Sequence, residues 1–250
     1  MRNELKRRLY HDEVCYGTWI ASASLNIVDI LTNFKFDWFV IDIEHSAINP
    51  ETVGQMMQVI DEKVTPIVRV GANDQYLIKL ALDAGAYGVV VPLVNSREEA
   101  EMAVRFSKYP PEGNRGRAGT RASHYGLNRD YFRTANDETM VIVQIETKEA
   151  LKNIDEILGV KGIDVAFVGP SDLTMSLGLF DDRSNERVVS AMRTVVKACK
   201  KHGKIPGIFA SSIEEMENAV DRGFKFISLG SDIRFLMQGA RTFLKSVGRD

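Results

Sequence analysis

The sequence predicts an α/β protein, a closed (β/α)8 TIM barrel folded as one domain over residues 1–250. Three observations predict it. Eight short apolar runs recur along the chain, amphipathic segments lie between them, and the length is typical of one such barrel.

The candidate strands are Val14–Ile20, Trp38–Ile43, Thr65–Val70, Tyr87–Leu93, Met140–Ile145, Val165–Val168, Ile205–Phe209 and Phe226–Leu229. Most are nearly continuous apolar runs, the pattern of parallel strands covered on both faces. The segments between them carry apolar residues three and four apart, as in Val53, Met56, Met57 and Ile60, or Val188, Met192, Val195 and Cys199. That is the helix period, and one stripe of each helix faces the core. Asn49-Pro50-Glu51 reads as a helix start, with a capping side chain and then proline where no N–H is needed. Gly85, Gly203 and Gly223 each follow a helical segment and precede a strand, where glycine can take the left-handed conformation that closes a helix. An open sheet would need a topological switch point, and no Gly-x-Gly-x-x-Gly follows the first run to mark one.

One connection is too long for a plain barrel. Residues Lys108 to Asp137, after the fourth strand and its helix, hold Pro110-Pro111 and the arginines Arg115, Arg117, Arg121 and Arg129. A segment of this length is expected to be a lid or a subunit contact rather than a mobile surface loop.

Composition excludes several classes. The apolar share of 44% and charged share of 26% are ordinary for a soluble globular protein. A net charge of −2 argues against a nucleic-acid partner, and the run Lys6-Arg7-Arg8 reads as a solvated helix face or tail. Cys15 and Cys199 suggest neither a disulfide framework nor a zinc site, since no Cys-x-x-Cys occurs; both are expected as buried thiols. No stretch of about 18 apolar residues is present to span a membrane, and the first residues lack the apolar centre of a signal peptide. A cytoplasmic location is the expectation.

In barrels of this kind the active site lies at the C-terminal ends of the strands. Polar residues gather there. The second run ends in Asp42-Ile43-Glu44-His45, the third contains Arg69, the fifth ends in Gln144-Ile145-Glu146, the sixth in Gly169-Pro170-Ser171-Asp172 and the eighth in Gly230-Ser231-Asp232. Glu146 and Asp172 offer hard oxygen ligands, which suit Mg²⁺, Mn²⁺ or Co²⁺ better than structural zinc. The competing reading makes Asp172 a helix cap and Glu146 a surface acid. Asp172 also begins a helical segment, so backbone N–H groups near Ser171 and Asp172 are available to an anion. His45 is the best acid–base candidate because imidazole titrates near neutrality; a capping or packing histidine is the alternative. Arg69 needs a partner, since an unpaired buried charge is costly. That partner is a substrate carboxylate or enolate, or a salt bridge to Asp42 or Glu44.

Beyond these separate signals, the blocks Phe36–His45, Pro66–Val70, Leu82–Ala86, Val91-Pro92, Gln144–Thr147 and Phe167–Leu173 follow one another in the order that resembles the HpcH/HpaI family of metal-dependent pyruvate aldolases. The resemblance covers almost the whole chain. It implies that Glu146 and Asp172 hold the metal, which chelates a 2-oxo acid, and that Gln144, Gly169, Ser171 and Asp172 contact the substrate. It implies that Arg69 stabilises the enolate and that His45 relays a proton, supported by Asp42 or by Asp83, the latter from a neighbouring subunit. Family members often carry alanine where this chain has Ser171. The implied reaction is cleavage of a 4-hydroxy-2-oxo acid to pyruvate and an aldehyde, with no Schiff-base lysine. The implied assembly is a hexamer, a trimer of dimers, with the C-terminal helix around Phe235–Leu244 on a partner. Oxaloacetate decarboxylation or another enolate condensation is the alternative chemistry, and a non-catalytic keto-acid-binding protein the alternative class.

Overall fold

The computed structural model describes residues 2–180 and 182–249. Its strands are β1 (Cys15–Ile20), β2 (Trp38–Asp42), β3 (Thr65–Arg69), β4 (Gly88–Val91), β5 (Met140–Ile145), β6 (Val165–Val168), β7 (Ile205–Ala210) and β8 (Phe226–Ser231). They close into a barrel in chain order, with β8 returning to pair in parallel with β1. The predicted fold class is the observed one. The fourth strand, predicted over Tyr87–Leu93, spans Gly88–Val91, and beyond its C-terminal end Leu93 takes a left-handed conformation with φ 52°.

Side chains alternate between two cores, which explains why the strands read as unbroken apolar runs. Trp38, Val40, Ile67, Met140, Ile142 and Phe226 fill the barrel, while Phe39, Ile41, Val68, Val141 and Val143 face the surrounding helices. Inside, Trp38 stacks on Phe226 with ring centroids 4.0 Å apart. That stack needs Gly17, where a Cβ would come within 2.0 Å of the Trp38 ring.

The caps behave as read. Asn49 accepts from the Thr52 N–H at 2.9 Å ahead of Pro50 at the first helical position. Gly85, Gly203 and Gly223 all have positive φ. Both cysteines are free and buried.

Two expectations fail. Lys6-Arg7-Arg8 is not a solvated face. It lies on a helix, Glu4–Tyr10, that lays Leu5 and Leu9 on the barrel interior at the end where the strands begin. Lys6 pairs with Asp164 at 2.9 Å, Arg7 with Glu138 at 2.7 Å and Arg8 with Asp37 at 2.5 Å. Asp164 and Asp37 immediately precede β6 and β2, and Glu138 stands two residues before β5, so the basic run ties the plug to the barrel rim.

The arginine-rich segment, expected as a lid or a subunit contact, is no lid on this chain: it does not cover the chain's own strand C-termini. It joins the helix Arg97–Ser107 to β5, so it sits where strands begin. There it is packed: buried Arg115 pairs with Asp83 at 2.6 Å and lies over the Tyr109 ring. Arg117 lies over Phe132, and the helix Tyr131–Glu138 completes a floor.

Gly17→Ala is expected to destabilise the barrel by about 3 kcal/mol or more, since neither the Trp38 ring nor its carbonyl can retreat. Thermal unfolding should show a fall in Tm well beyond that of Gly54→Ala, where an added Cβ meets nothing within 4 Å.

Candidate active site

The inward-facing side of each strand continues past the apolar interior into the mouth of the barrel. Two residues beyond Val40 stands Asp42, two beyond Ile67 stands Arg69, and two and four beyond Ile142 stand Gln144 and Glu146. A step of two keeps a side chain on the same face. Together with Trp19, His45, Phe167, Gly169, Ser171 and Asp172, several of these line a cavity of about 350 Å³. A larger cavity of about 600 Å³ lies at the opposite end, beside Thr65, Pro66 and Tyr87. The chemistry, not the size, identifies the site.

At its centre is Arg69. The register of β2 and β3 sets it directly beside Asp42. Its Nε and Nη2 donate to the two carboxylate oxygens of Asp42 at 2.9 and 2.7 Å. Nη1 lies 3.1 Å from Glu44 Oε2, and the guanidinium sits 4.5 Å over the Trp19 ring. Of the two partner classes left open for Arg69, the carboxylates of Asp42 and Glu44 are present. Two of its five N–H groups donate to Asp42, and the residue lines the cavity.

His45 is exposed at the rim. Its Nε2 lies 3.8 Å from Glu44 Oε2, and its backbone N–H donates to Asp42. Neither aspartate expected to support the imidazole reaches it in this chain. Asp42 is taken up by Arg69. Asp83 closes the helix Gln75–Asp83 at the far end of the barrel, paired with Arg115. Glu44, which the sequence reading treated only as a salt-bridge partner, is the carboxylate beside the ring. Burial pushes its proton affinity up, against the pull of Arg69.

The two acids converge. A Cβ built on Gly169 would stand 3.1 Å from Glu146 Oε2 and Gln144 Nε2 and 3.4 Å from Asp172 Oδ2. Any side chain there would fill the space between them. Glu146 is buried, whereas Asp172 opens to solvent. Burial first, and then the Asp172 charge, raise the carboxyl pKa of Glu146. The N–H of Leu93, held in its left-handed turn, opposes this by donating to Glu146 at 2.9 Å. Gln144 donates to Glu146, and its own Oε1 is buried with no partner. Two carboxylates converging in this way form an oxygen donor pair that a hard divalent cation satisfies, with the Gln144 amide held against one of them. Among the described residues no cluster of three His, Cys, Asp or Glu forms a richer metal site.

Asp232, a strand-end acid in the sequence, is consumed structurally. It is buried and accepts from the N–H groups of Ala21 and Ser22, tying β8 to the end of β1. No lysine is among the described residues that line the cavity. Sequence reasoning missed Trp19, Phe209, Arg183 and Arg234, which also line it. Phe209 stood at a strand end and was legible as such. Arg183 lies in a loop beyond a helix and carries no local signal.

The fold alone does not say which chemistry this mouth performs; comparison with known proteins names the class. Residues 15–238 match the family model HpcH/HpaI aldolase/citrate lyase, and the chain belongs to that family. It is 37% identical to a hydroxypyruvate/pyruvate aldolase of Paraburkholderia phytofirmans, covering 98% of this chain and 97% of that one. It is 37% identical to a 4-hydroxy-2-oxo-heptane-1,7-dioate aldolase of Klebsiella pneumoniae, covering 96% and 92%. A crystal structure of a family member from Burkholderia cenocepacia superposes with a TM-score of 0.94 at 35% identity, covering 98% and 99%. The chain is an enzyme of the aldolase type.

Removing one partner of a buried pair strands the other charge. Asp42→Ala is expected to cost about 3 kcal/mol of stability, read as a lower midpoint in urea. A midpoint within error of wild type would show that Glu44 alone suffices for Arg69.

Proposed function

We propose that the chain, as one domain over residues 1–250, cleaves a 4-hydroxy-2-oxo acid reversibly to pyruvate and an aldehyde, using a divalent cation. The observation that carries this reading is the convergence of Glu146, Asp172 and the Gln144 amide around Gly169, in a mouth that Arg69 also lines. Glu146 and Asp172 are the residues that hold the ion, Mg²⁺, Mn²⁺ or Co²⁺. The chemistry such an ion supplies when bound is Lewis-acid polarisation of a carbonyl oxygen.

The chain's own residues do the rest. Gln144 orients the keto-acid, and Gly169 leaves room for it between the carboxylates. The first-turn N–H groups at Ser171 and Asp172 hold its carboxylate. Breaking the C3–C4 bond leaves negative charge on the 2-oxo oxygen of pyruvate enolate. Arg69, fixed in advance by Asp42, Glu44 and Trp19, meets that charge without reorganising. His45, exposed at the rim, takes the proton from the 4-hydroxyl. Asp42 acts through Arg69 and through the His45 backbone.

Asp83 acts on His45 only from a neighbouring copy, in a hexamer built as a trimer of dimers. Support for an oligomer comes from the C-terminal helix Asp232–Ser246, which exposes Leu236, Met237 and Phe243. The proposed location is the cytoplasm; no helix among the described residues is long and apolar enough to cross a membrane.

Chelation with EDTA should stop pyruvate release from a 4-hydroxy-2-oxo acid, and Mg²⁺ or Mn²⁺ should restore it; activity that survives thorough chelation overturns the metal reading. Glu146→Gln should abolish Mn²⁺ binding by calorimetry, whatever its activity. Arg69→Lys is expected to lower kcat by about 100-fold, because a lysine cannot both grip Asp42 and reach the enolate. Faster turnover of oxaloacetate than of any hydroxy-oxo acid would favour a decarboxylase instead.

A further inference from the structure

The two carboxylates at the mouth are not held alike. Glu146 is buried and accepts from the Leu93 N–H and from Gln144, so its side chain has a fixed place. Asp172 is exposed, and among the described residues nothing donates to its carboxylate and no cation pairs with it. Its position is therefore set by the helix that carries it, Pro170–Ser176.

That helix has only seven residues and starts without a side-chain cap. A helix so short has little stability of its own. The residue before it is Gly169, which has no side chain to offer the first turn. A capping serine or asparagine is excluded there, because its Cβ would enter the space between Glu146, Gln144 and Asp172. The open space at the site removes the usual device for fixing the helix start, so other contacts must do it. Pro170, Leu173 and Thr174 bury one face. The last residue, Ser176, accepts the Lys148 N–H at 2.9 Å, which ties the far end to the segment just beyond Glu146.

At the first turn the contact is Arg183, from the segment between Pro170–Ser176 and the helix Glu186–His202. Its Nη2 donates to Ser171 Oγ at 2.6 Å, one residue before Asp172. Its Nη1 donates to Ser211 Oγ at 3.2 Å and lies 3.4 Å from Glu215. That receiving side is itself ordered. Glu215 Oε2 accepts from the Ser211 N–H and hydroxyl at 2.6 and 2.7 Å, and Arg234 donates to the Ser211 carbonyl at 3.2 Å. Burial works against an ionised Glu215, but the Ser211 donors and Arg183 hold its carboxyl below the usual range. A planar guanidinium gripped at several points holds its partners at a fixed spacing.

We propose that Arg183 is a positioning residue for Asp172: it clamps the first turn of Pro170–Ser176, through the Ser171 hydroxyl, onto the end of β7. The assignment rests on the metal reading above and adds to it a residue outside the donor set. Ser171 then serves the site through its side chain, as the acceptor for Arg183. Without the clamp both carboxylates remain, but one of them is no longer aimed, and their joint grip on the ion weakens.

The experiment titrates each variant with Mn²⁺ by calorimetry and records its thermal unfolding alongside. Ser171→Ala and Arg183→Gln should each weaken Mn²⁺ binding by about 10-fold, the size usual for a residue that orients a ligand without touching the ion. The double variant should bind no more weakly than the worse single one, since both substitutions cut the same contact. Ser171→Thr keeps the hydroxyl and Arg183→Lys keeps a donor, so both should retain part of the affinity. Arg193→Gln removes an equal charge from an exposed pair with Glu186 on the next helix and should bind Mn²⁺ as wild type does. Lower unfolding temperatures with Mn²⁺ bound as tightly as by wild type would make Arg183 a stability contact only and overturn the proposal. Losses that add in the double variant, or a loss in Ser171→Ala that Arg183→Gln does not share, overturn it too. A wild-type enzyme that binds no Mn²⁺ sinks the metal reading itself. Wild-type binding that Glu146→Gln abolishes and the Ser171 and Arg183 variants leave untouched sinks only the clamp.

Discussion

The ion pair between Arg69 and Asp42 sits where the apolar filling of the barrel ends and the polar mouth begins. Neither charge is tolerable there alone. Desolvating an arginine or an aspartate costs several kcal/mol, and their mutual attraction offsets this only with good geometry and further hydrogen bonds. The geometry is supplied by parallel register, which sets the two residues side by side on β2 and β3. The further contacts come from Glu44, the Trp19 ring and the backbone N–H groups of Glu44 and His45. The pair thereby organises the turn after β2, and with it the position of the only histidine lining the cavity among the described residues.

The same inward side of the strands builds both core and site. Trp38, Val40 and Asp42 are successive steps on one face of β2, and Met140, Ile142, Gln144 and Glu146 are successive steps on β5. The lower steps are apolar because they meet each other; the upper ones are polar because they meet water and ligand. The cost appears at Glu146, a buried carboxylate facing another carboxylate, and at Leu93, a branched residue held at positive φ to offer its N–H to that carboxylate. Strain and like charge are kept together at the mouth, where functional sites concentrate them.

The opposite end of the barrel is closed by different means. A seven-residue helix plugs the interior with two leucines and fastens itself with three arginine or lysine bridges. The arginine-rich segment forms a floor in which guanidiniums lie over aromatic rings.

Much of this was legible in the chain. Apolar runs spaced by helix-period segments determined the barrel, because burial on both faces leaves a strand little choice of residue. The strand ends identified Asp42, His45, Arg69, Glu146 and Asp172, since polar residues directly after such runs have only the mouth to occupy. The cap at Asn49 and the glycines at positive φ were local, so they needed no tertiary information. What the sequence could not decide was partnership. Whether Lys6-Arg7-Arg8 met water or acids depended on Asp37, Glu138 and Asp164, which lie 29 to 158 positions away. The role of Asp232 depended on the N–H groups at the end of β1, the neighbour that only closure supplies. Arg183, from the segment after β6, and Arg234, from the helix after β8, meet on Ser211 at the end of β7. Periodicity records which way a side chain faces; only the closed barrel decides what stands opposite it.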